Sequence, residues 1–232
     1  LSLSLGLGML ATAFLAGILY RVVISRVRSS PILTLIVSLS ITLILQEIVA
    51  MAFGLAALSL PPPVPGVSVV FGVTIENVHL VAFAASWLAL GCFWLFIERT
   101  RFGQAIRAMA MTQRGAALVG IDIEWAYTST WAISGALAGL AGIFFTYPGG
   151  MAPRMWVDPL IISFAIVILG GLGSLTGSLI AAYLVGFVET LTFYAPQAHI
   201  PLGSAWIGVP SLLLTVLILI FRPQGLFGRS TS

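Results

Sequence analysis

The stretch RVVISRVRSSPILTLIVSLSITLILQEIVAMAFG, from Arg21 to Gly54, sets Arg21, Arg26 and Arg28 against an apolar run that continues from Ile32 to Phe53. That run is about 20 residues long, the length a helix needs to cross the hydrocarbon core of a bilayer. It does not alternate apolar and polar residues as a barrel strand would. In lipid every backbone polar group must be satisfied within the structure, so a run of this kind is read as a transmembrane helix.

The same grammar extends in both directions. Upstream lies the run Leu1 to Tyr20, which lacks a basic start and is followed by arginines rather than by a small-residue cleavage site, unlike a signal peptide. Downstream, Gly54 to Asn77 carries Pro61, Pro62, Pro63 and Pro65 and is expected to be a loop. Further runs follow at Val78–Ile97 and Trp125–Tyr147, separated by the polar stretch Glu98–Glu124. After a short loop, Pro148–Val157, the region Asp158–Tyr194 is too long for one span and is interrupted by Gly170, Gly171, Gly173, Ser174, Gly177 and Ser178. It is read as two helices, Pro159–Leu169 and Leu175–Phe193, joined by a Gly-rich turn. The first is short, so a re-entrant course stays open beside a spanning one. A loop, Ala195–Trp206, leads to the last run, Ile207–Phe221. The expected fold is an all-α membrane protein, a polytopic transmembrane helical bundle of about six segments, with residues 1–232 as one transmembrane domain and 98–124 as a loop within it.

Composition agrees with this architecture. Of 232 residues, 59% are hydrophobic and only 7% charged, with a mean hydropathy of +1.12. So few charges cannot cover the surface of a soluble domain, and lipid is the expected solvent. There is no lysine: all ten basic residues are arginine. A P-loop needs its lysine, so the chain cannot be a P-loop ATPase, and Schiff-base chemistry is excluded with it. Cys92 is a single cysteine and forms no internal disulfide, and His79 and His199 lie in different loops with no metal-site spacing. No carboxylate pair or Ser/His/Asp set is present, so the expectation is no catalytic residue, no metal and no cofactor. Nothing points to nucleic acid. Energy for any driven process must come from a gradient or from another subunit.

The arginines orient the bundle. With Arg21–Pro31 on the cytoplasmic side, alternation places Arg21, Arg26, Arg28, Arg99, Arg101, Arg107, Arg114, Arg222 and Arg229 inside and only Arg154 outside. This one-sidedness is the positive-inside pattern, and it puts the C-terminus in the cytoplasm.

Three groups of residues are candidates for function. Within RFGQAIRAMAMTQRGAALVGI (Arg101–Ile121), residues 104–119 hold no proline and a single glycine, Gly115, at which a helix is expected to break. Ala105, Ala108, Ala110, Ala116 and Ala117 allow close approach, Met109, Met111 and Leu118 offer adaptable apolar contact, and Arg107 and Arg114 are available to carboxylates. Two readings stay open here: a helix that docks in a partner's groove, or an amphipathic linker on the membrane surface. Gly135, Gly139 and Gly142 have the small-residue spacing of close helix packing. The turn at Gly170, Gly171, Gly173, Ser174 and Gly177 suits either a tight helix–helix connection or an anion cradle. Gln46 and Glu47, inside a membrane run, are candidates for a polar translocation pathway; pairing with a neighbour is the alternative. Glu189, near a helix end, is read more simply as reaching the interface.

With these segments in view, the chain resembles the permease subunits of branched-chain amino acid ABC transporters, the Liv-type importers, from about Tyr20 to Gly228. The marks are Tyr20-Arg21, Arg28-Ser29-Ser30-Pro31, Leu45-Gln46-Glu47 and Phe53-Gly54, then Gly103-x-x-x-Arg107-Ala108-x-Ala110 and Ala117-x-x-Gly120-Ile121. Gly139-x-x-Gly142, Gly170-Gly171-x-Gly173-Ser174-x-x-Gly177 and Arg222-Pro223-x-Gly225-Leu226-Phe227-Gly228 complete the set. Their order and spacing carry the resemblance.

The resemblance implies that the stretch matching Gln104–Gly120 is a cytoplasmic coupling segment that docks on a separate ATPase, with Gly103, Arg107, Ala108, Ala110, Arg114, Ala117 and Gly120 as its matching residues. It further implies alternating access across a bacterial inner membrane, a second permease subunit, an external binding protein that delivers substrate, and branched-chain amino acids as the default cargo. Amides, urea and other amino acids stay open, and a gradient-driven transporter or channel is the alternative. Two departures are visible: the family's N-terminal spans have no counterpart before Leu1, and Thr112-Gln113-Arg114 stands where many relatives carry acidic residues.

Overall fold

A computed structural model describes residues 2–58, 62, 64–70, 73–171, 173–194, 208–222 and 224–227. The expected loop at 195–206, His199 and Arg229 lie outside the described residues. Five helices are long and apolar enough to cross a membrane, and two further apolar helices, Val157–Gly170 and Val209–Phe221, are shorter. Together they bracket the expected count of about six. The chain is a multi-pass helical membrane protein. Its exposed surface fits that solvent: Phe14, Met51, Leu88 and Ile220 are at least 68% exposed, a state that lipid tolerates and water does not.

Two compact units are present, residues 1–153 and 154–232. In the first, α1 (Ser2–Leu19) continues through a π-helical turn, Tyr20–Ile24, into the short α2 (Ser25–Val27). Helix α3 (Pro31–Phe53) starts at Ser30, whose hydroxyl accepts from the Leu33 N–H, with Pro31 in the first turn where no N–H is needed. It stops at Gly54, which takes φ 84°. Helix α4 (Asn77–Arg99) turns into α5 (Arg101–Met111) at the extended residue Thr100. The Thr100 hydroxyl accepts from the Gly103 N–H at 3.0 Å and donates to the Phe96 carbonyl at 2.6 Å, closing both helix ends with one side chain. Then come α6 (Gln113–Leu118) and α7 (Ile123–Gly149), the latter capped by Asp122, which accepts from the Trp125 N–H.

Helices α1 and α7 pack closely because small residues meet. A Cβ on Gly135 would lie 2.6 Å from Ala16 Cβ and from the Thr12 carbonyl, and one on Gly139 would collide with the Thr12 side chain. Open space surrounds the third member of that set, Gly142, so it contributes nothing to this contact.

Two local expectations need correction. The Pro-rich connection is not loop throughout: β1 (Val67–Val70) and β2 (Val73–Glu76) form an antiparallel hairpin. Its β-branched residues favour strands even beside prolines. The helix in the polar stretch breaks at Thr112, which is extended (φ −150°, ψ 118°), rather than at Gly115. Gly115 lies inside α6, where the Thr112 hydroxyl occupies the space that a Cβ would need.

The second unit holds α8 (Val157–Gly170), α9 (Leu175–Tyr194) and α10 (Val209–Phe221) around fully buried Leu169, Ala181 and Val185. Between α8 and α9, Gly171 and Gly173 take φ 97° and 84°, values few other residues tolerate. Gly170 and Gly177 touch backbone to backbone, and the Ser174 hydroxyl accepts from the Gly177 N–H at 3.1 Å to start α9. Beyond α10 the chain returns to this corner. The Leu226 N–H donates to the Leu169 carbonyl at 2.7 Å and the Phe227 N–H to the Gly170 carbonyl at 3.1 Å, satisfying acceptors that the end of α8 leaves unpaired.

Candidate functional site: the arginine-bearing end of the first unit

The α5–α6 segment has two faces. Gly103, Met109 and Ala116 point inward, and Met109 and Ala116 pack with Ala126 at the start of α7 alongside Ile121, Ile123 and Tyr127. Phe102 adds an edge-on contact to Trp125, with centroids 4.2 Å apart. Outward stand Arg107, Ala110, Met111, Arg114, Ala117, Leu118, Val119 and Gly120. Leu118 is 88% exposed, Val119 75% and Met111 74%. Among the described residues neither Arg107 nor Arg114 is in a salt bridge.

The seven residues singled out from the sequence therefore divide. Arg107, Ala110, Arg114, Ala117 and Gly120 are exposed together on this segment, and Ala108 is half-buried. Gly103 is buried at the α4–α5 corner, where a Cβ would strike the backbone of Phe96 and Ile97, so its part is to make the corner. Gly120 takes φ 82° and ends α6. Gln46 is half-buried and Glu47 exposed on α3, which has no buried residue, and Glu189 is half-buried in α9. Within the first unit, the contacts of α3, which carries Glu47, are chiefly with the π-helical turn and not with the α5–α6 segment.

Sequence reasoning missed a network beside that segment. Arg28 Nη2 lies 2.7 Å from Glu124 Oε1, and Arg28 Nη1 donates to the Tyr20 hydroxyl at 2.9 Å. Tyr20, only 1% exposed, reaches Glu124 Oε2 at 3.5 Å. Its ring stacks on Tyr127 at 5.8 Å and lies 5.9 Å from Trp131, while the Arg28 guanidinium sits 5.3 Å from the Tyr127 ring centre. Gln113, first in α6, donates to the Tyr127 hydroxyl at 2.5 Å. Partial burial works against the charge on Arg28, but the Tyr20 hydroxyl and the Glu124 carboxylate outweigh it, so the guanidinium is held above its ordinary pKa. Glu124 is in the first turn of α7, where the helix dipole favours a negative charge. Glu124 is 104 residues from Tyr20 and about 100 from Arg28, beyond any local pattern. The available signal was an acid just inside one helix start and an arginine just outside another.

The opposite end of the unit is tied separately. The Tyr147 hydroxyl donates to Glu76 Oε2 at 3.1 Å, and Leu58 and Met151 exchange two backbone hydrogen bonds of 2.9 Å. Arg28 and the start of α7 with Glu124 thus share one end of the first unit, and the hairpin lies at the other.

A family model described as a branched-chain amino acid transport system permease component matches residues 1–221. The high-affinity branched-chain amino acid transport system permease protein LivH of Escherichia coli K12 is 29% identical over 216 residues, covering 90% of this chain and 68% of its own length. BraD of Pseudomonas aeruginosa, described likewise as such a permease protein, is 29% identical over 205 residues, 85% of this chain and 64% of its own. A probable LivH of Methanocaldococcus jannaschii is 35% identical over 148 residues, 63% and 46% respectively. No solved structure matches the chain.

Proposed function

Since this chain belongs to the family of branched-chain amino acid transport permease components, we propose that it forms part of the membrane pathway of an ATP-binding cassette importer for branched-chain or related amino acids. The observation that carries the reading is the α5–α6 segment, with its inner face packed on α7 and its outer face exposing Leu118 and Val119 together with Arg107 and Arg114, which are in no salt bridge among the described residues. A short helical element with an apolar tip and exposed guanidinium groups fits a groove on an ATPase subunit that carries acidic residues. The absence of lysine from these 232 residues fits a phosphate-binding loop carried by that other polypeptide.

In this reading residues 1–232 act as one permease domain, with 98–124 as its coupling loop. The arginine-bearing end of the first unit and the C-terminus face the cytoplasm, and the hairpin end faces outward towards an external binding protein. Closure of the ATPase pair displaces α5–α6, and the spans of this chain and of a second permease subunit reorient around the substrate. Gln46 and Glu47 face the pathway between subunits, because a carboxylate within a span is costly against lipid.

Affinity purification from the native membrane tests this. The tagged chain is expected to retain an ATPase, and Arg107→Glu to weaken that retention and lower uptake. A chain that retains no ATPase, and whose uptake follows an ion gradient instead, would establish the gradient-driven alternative. Glu47→Gln is expected to change uptake without changing ATPase retention; unchanged uptake removes Glu47 from the pathway.

A further inference from the structure

We propose that Arg28, Glu124 and Tyr20 are positioning residues for coupling: they clamp the corner between α1 and α3 to the start of α7, so that the corner follows the α5–α6 segment. The proposal rests on the ATPase-docking reading of that segment and assigns the residues that carry its displacement onward.

The physical path is continuous. Met109 and Ala116 are buried against Ala126, and Gln113 is bonded to Tyr127, so α5 and α6 cannot shift without moving the first turns of α7. Those turns hold Glu124 and Tyr127, and through them Arg28 and Tyr20, by an ion pair, a hydroxyl hydrogen bond and ring contacts, while Arg28 and Tyr20 are bonded to each other. Between the clamp residues Tyr20 and Arg28 the backbone departs from a regular α-helix. Tyr20–Ile24 is a π-helical turn, a widened geometry that recurs at functional sites. It is followed by only three α-helical residues and by Ser30 in an extended conformation.

Helix α3 has no buried residue, and its described contacts with the unit are chiefly at this corner. The clamp is therefore a polar connection through which α3, with Gln46 and Glu47, is led by the coupling segment. A half-exposed ion pair contributes little to stability. Its removal should thus spare the fold while disconnecting two moving parts.

The test uses the complete transporter, with its ATPases, second permease and binding protein, in proteoliposomes where ATP hydrolysis and amino acid uptake are measured together. Arg28→Met and Glu124→Gln are expected to retain the ATPase and to hydrolyse ATP within about twofold of the unaltered protein. Uptake per ATP should fall about 10-fold, within the usual range of coupling between sites. The charge-reversed pair Arg28→Glu/Glu124→Arg should recover part of the lost uptake per ATP, whereas a merely structural lesion lowers both rates together and leaves that ratio unchanged. Tyr20→Phe keeps the stacked ring and removes one oxygen, so it supplies a milder variant with a drop of about threefold should the others fold poorly.

An unchanged uptake-to-hydrolysis ratio in these variants overturns the clamp, as does a parallel fall of both rates with no recovery in the reversed pair. An unaltered protein that binds no ATPase overturns the docking reading instead, and the two failures are distinguishable.

Discussion

Truncating the apolar tip of the α5–α6 segment, Leu118→Ala together with Val119→Ala, removes about five carbon groups from side chains that are 88% and 75% exposed. If the tip is desolvated on docking, each carbon group contributes about 0.8 kcal/mol, so a ceiling near 4 kcal/mol scales to about 3 kcal/mol at this exposure. Ordering of the side chains on binding consumes part of that, leaving about 2–3 kcal/mol, or roughly 30- to 150-fold in affinity. The variant in lipid nanodiscs, titrated with purified ATPase subunits by biolayer interferometry, should show this loss. Melting of the permease itself should hardly move, because neither side chain packs within the chain. An affinity within threefold of the unaltered protein would refute the assignment of the tip to the interface and leave docking to the guanidinium groups alone.

Two predictions concern the scaffold. Gly139→Leu drives a side chain into Thr12 and the Gly8 carbonyl and should destabilise the α1–α7 contact by about 1–3 kcal/mol. Gly142→Leu enters open space and should leave the melting temperature in detergent within a degree or so, so the order of the two in a thermal shift assay is diagnostic. Ser174→Ala removes the hydroxyl that accepts from the Gly177 N–H; the loss of about 1 kcal/mol should appear as faster amide exchange in the first turn of α9.

The parts of the fold legible in the sequence are those governed by near neighbours or by solvent. Apolar length located the spans, Gly54 marked where the second run stops, and the Gly170–Gly177 cluster marked the turn between two helices. The hairpin at 67–76 escaped because prolines at 61–65 dominate that stretch, although β-branched residues follow them at Val67, Val69, Val70, Val73, Thr74 and Ile75. The break at Thr112 escaped because glycine is the stronger helix breaker by propensity, while the bend was decided by packing of Met109 and Ala116 on α7. The grouping of Gly135 and Gly139 without Gly142 depends on which side of α7 meets α1, which spacing alone does not determine. Arg28, Glu124 and Tyr20 were hidden for a plainer reason: a contact across about 100 residues leaves no periodic trace in one sequence.

The return of the chain to the end of α8 has a consequence for how this region can change over evolutionary time. Leu226 and Phe227 meet the Leu169 and Gly170 carbonyls through their backbone N–H groups. Side-chain identity at these two positions is therefore only loosely filtered by that contact, and most replacements keep it. Proline is the exception, because it has no hydrogen to offer. A one-residue deletion between Phe221 and Leu226 is far harsher, since it pulls both donors out of register at once. Gly225, whose φ of 77° sets its backbone against Ile168 and Gly171, tightens the same constraint. Selection on this segment should accordingly preserve the spacing, the glycine and an apolar residue at Leu226, which packs against Leu169, Ala181 and Val185, and remove insertions and deletions sooner than substitutions at the exposed Phe227.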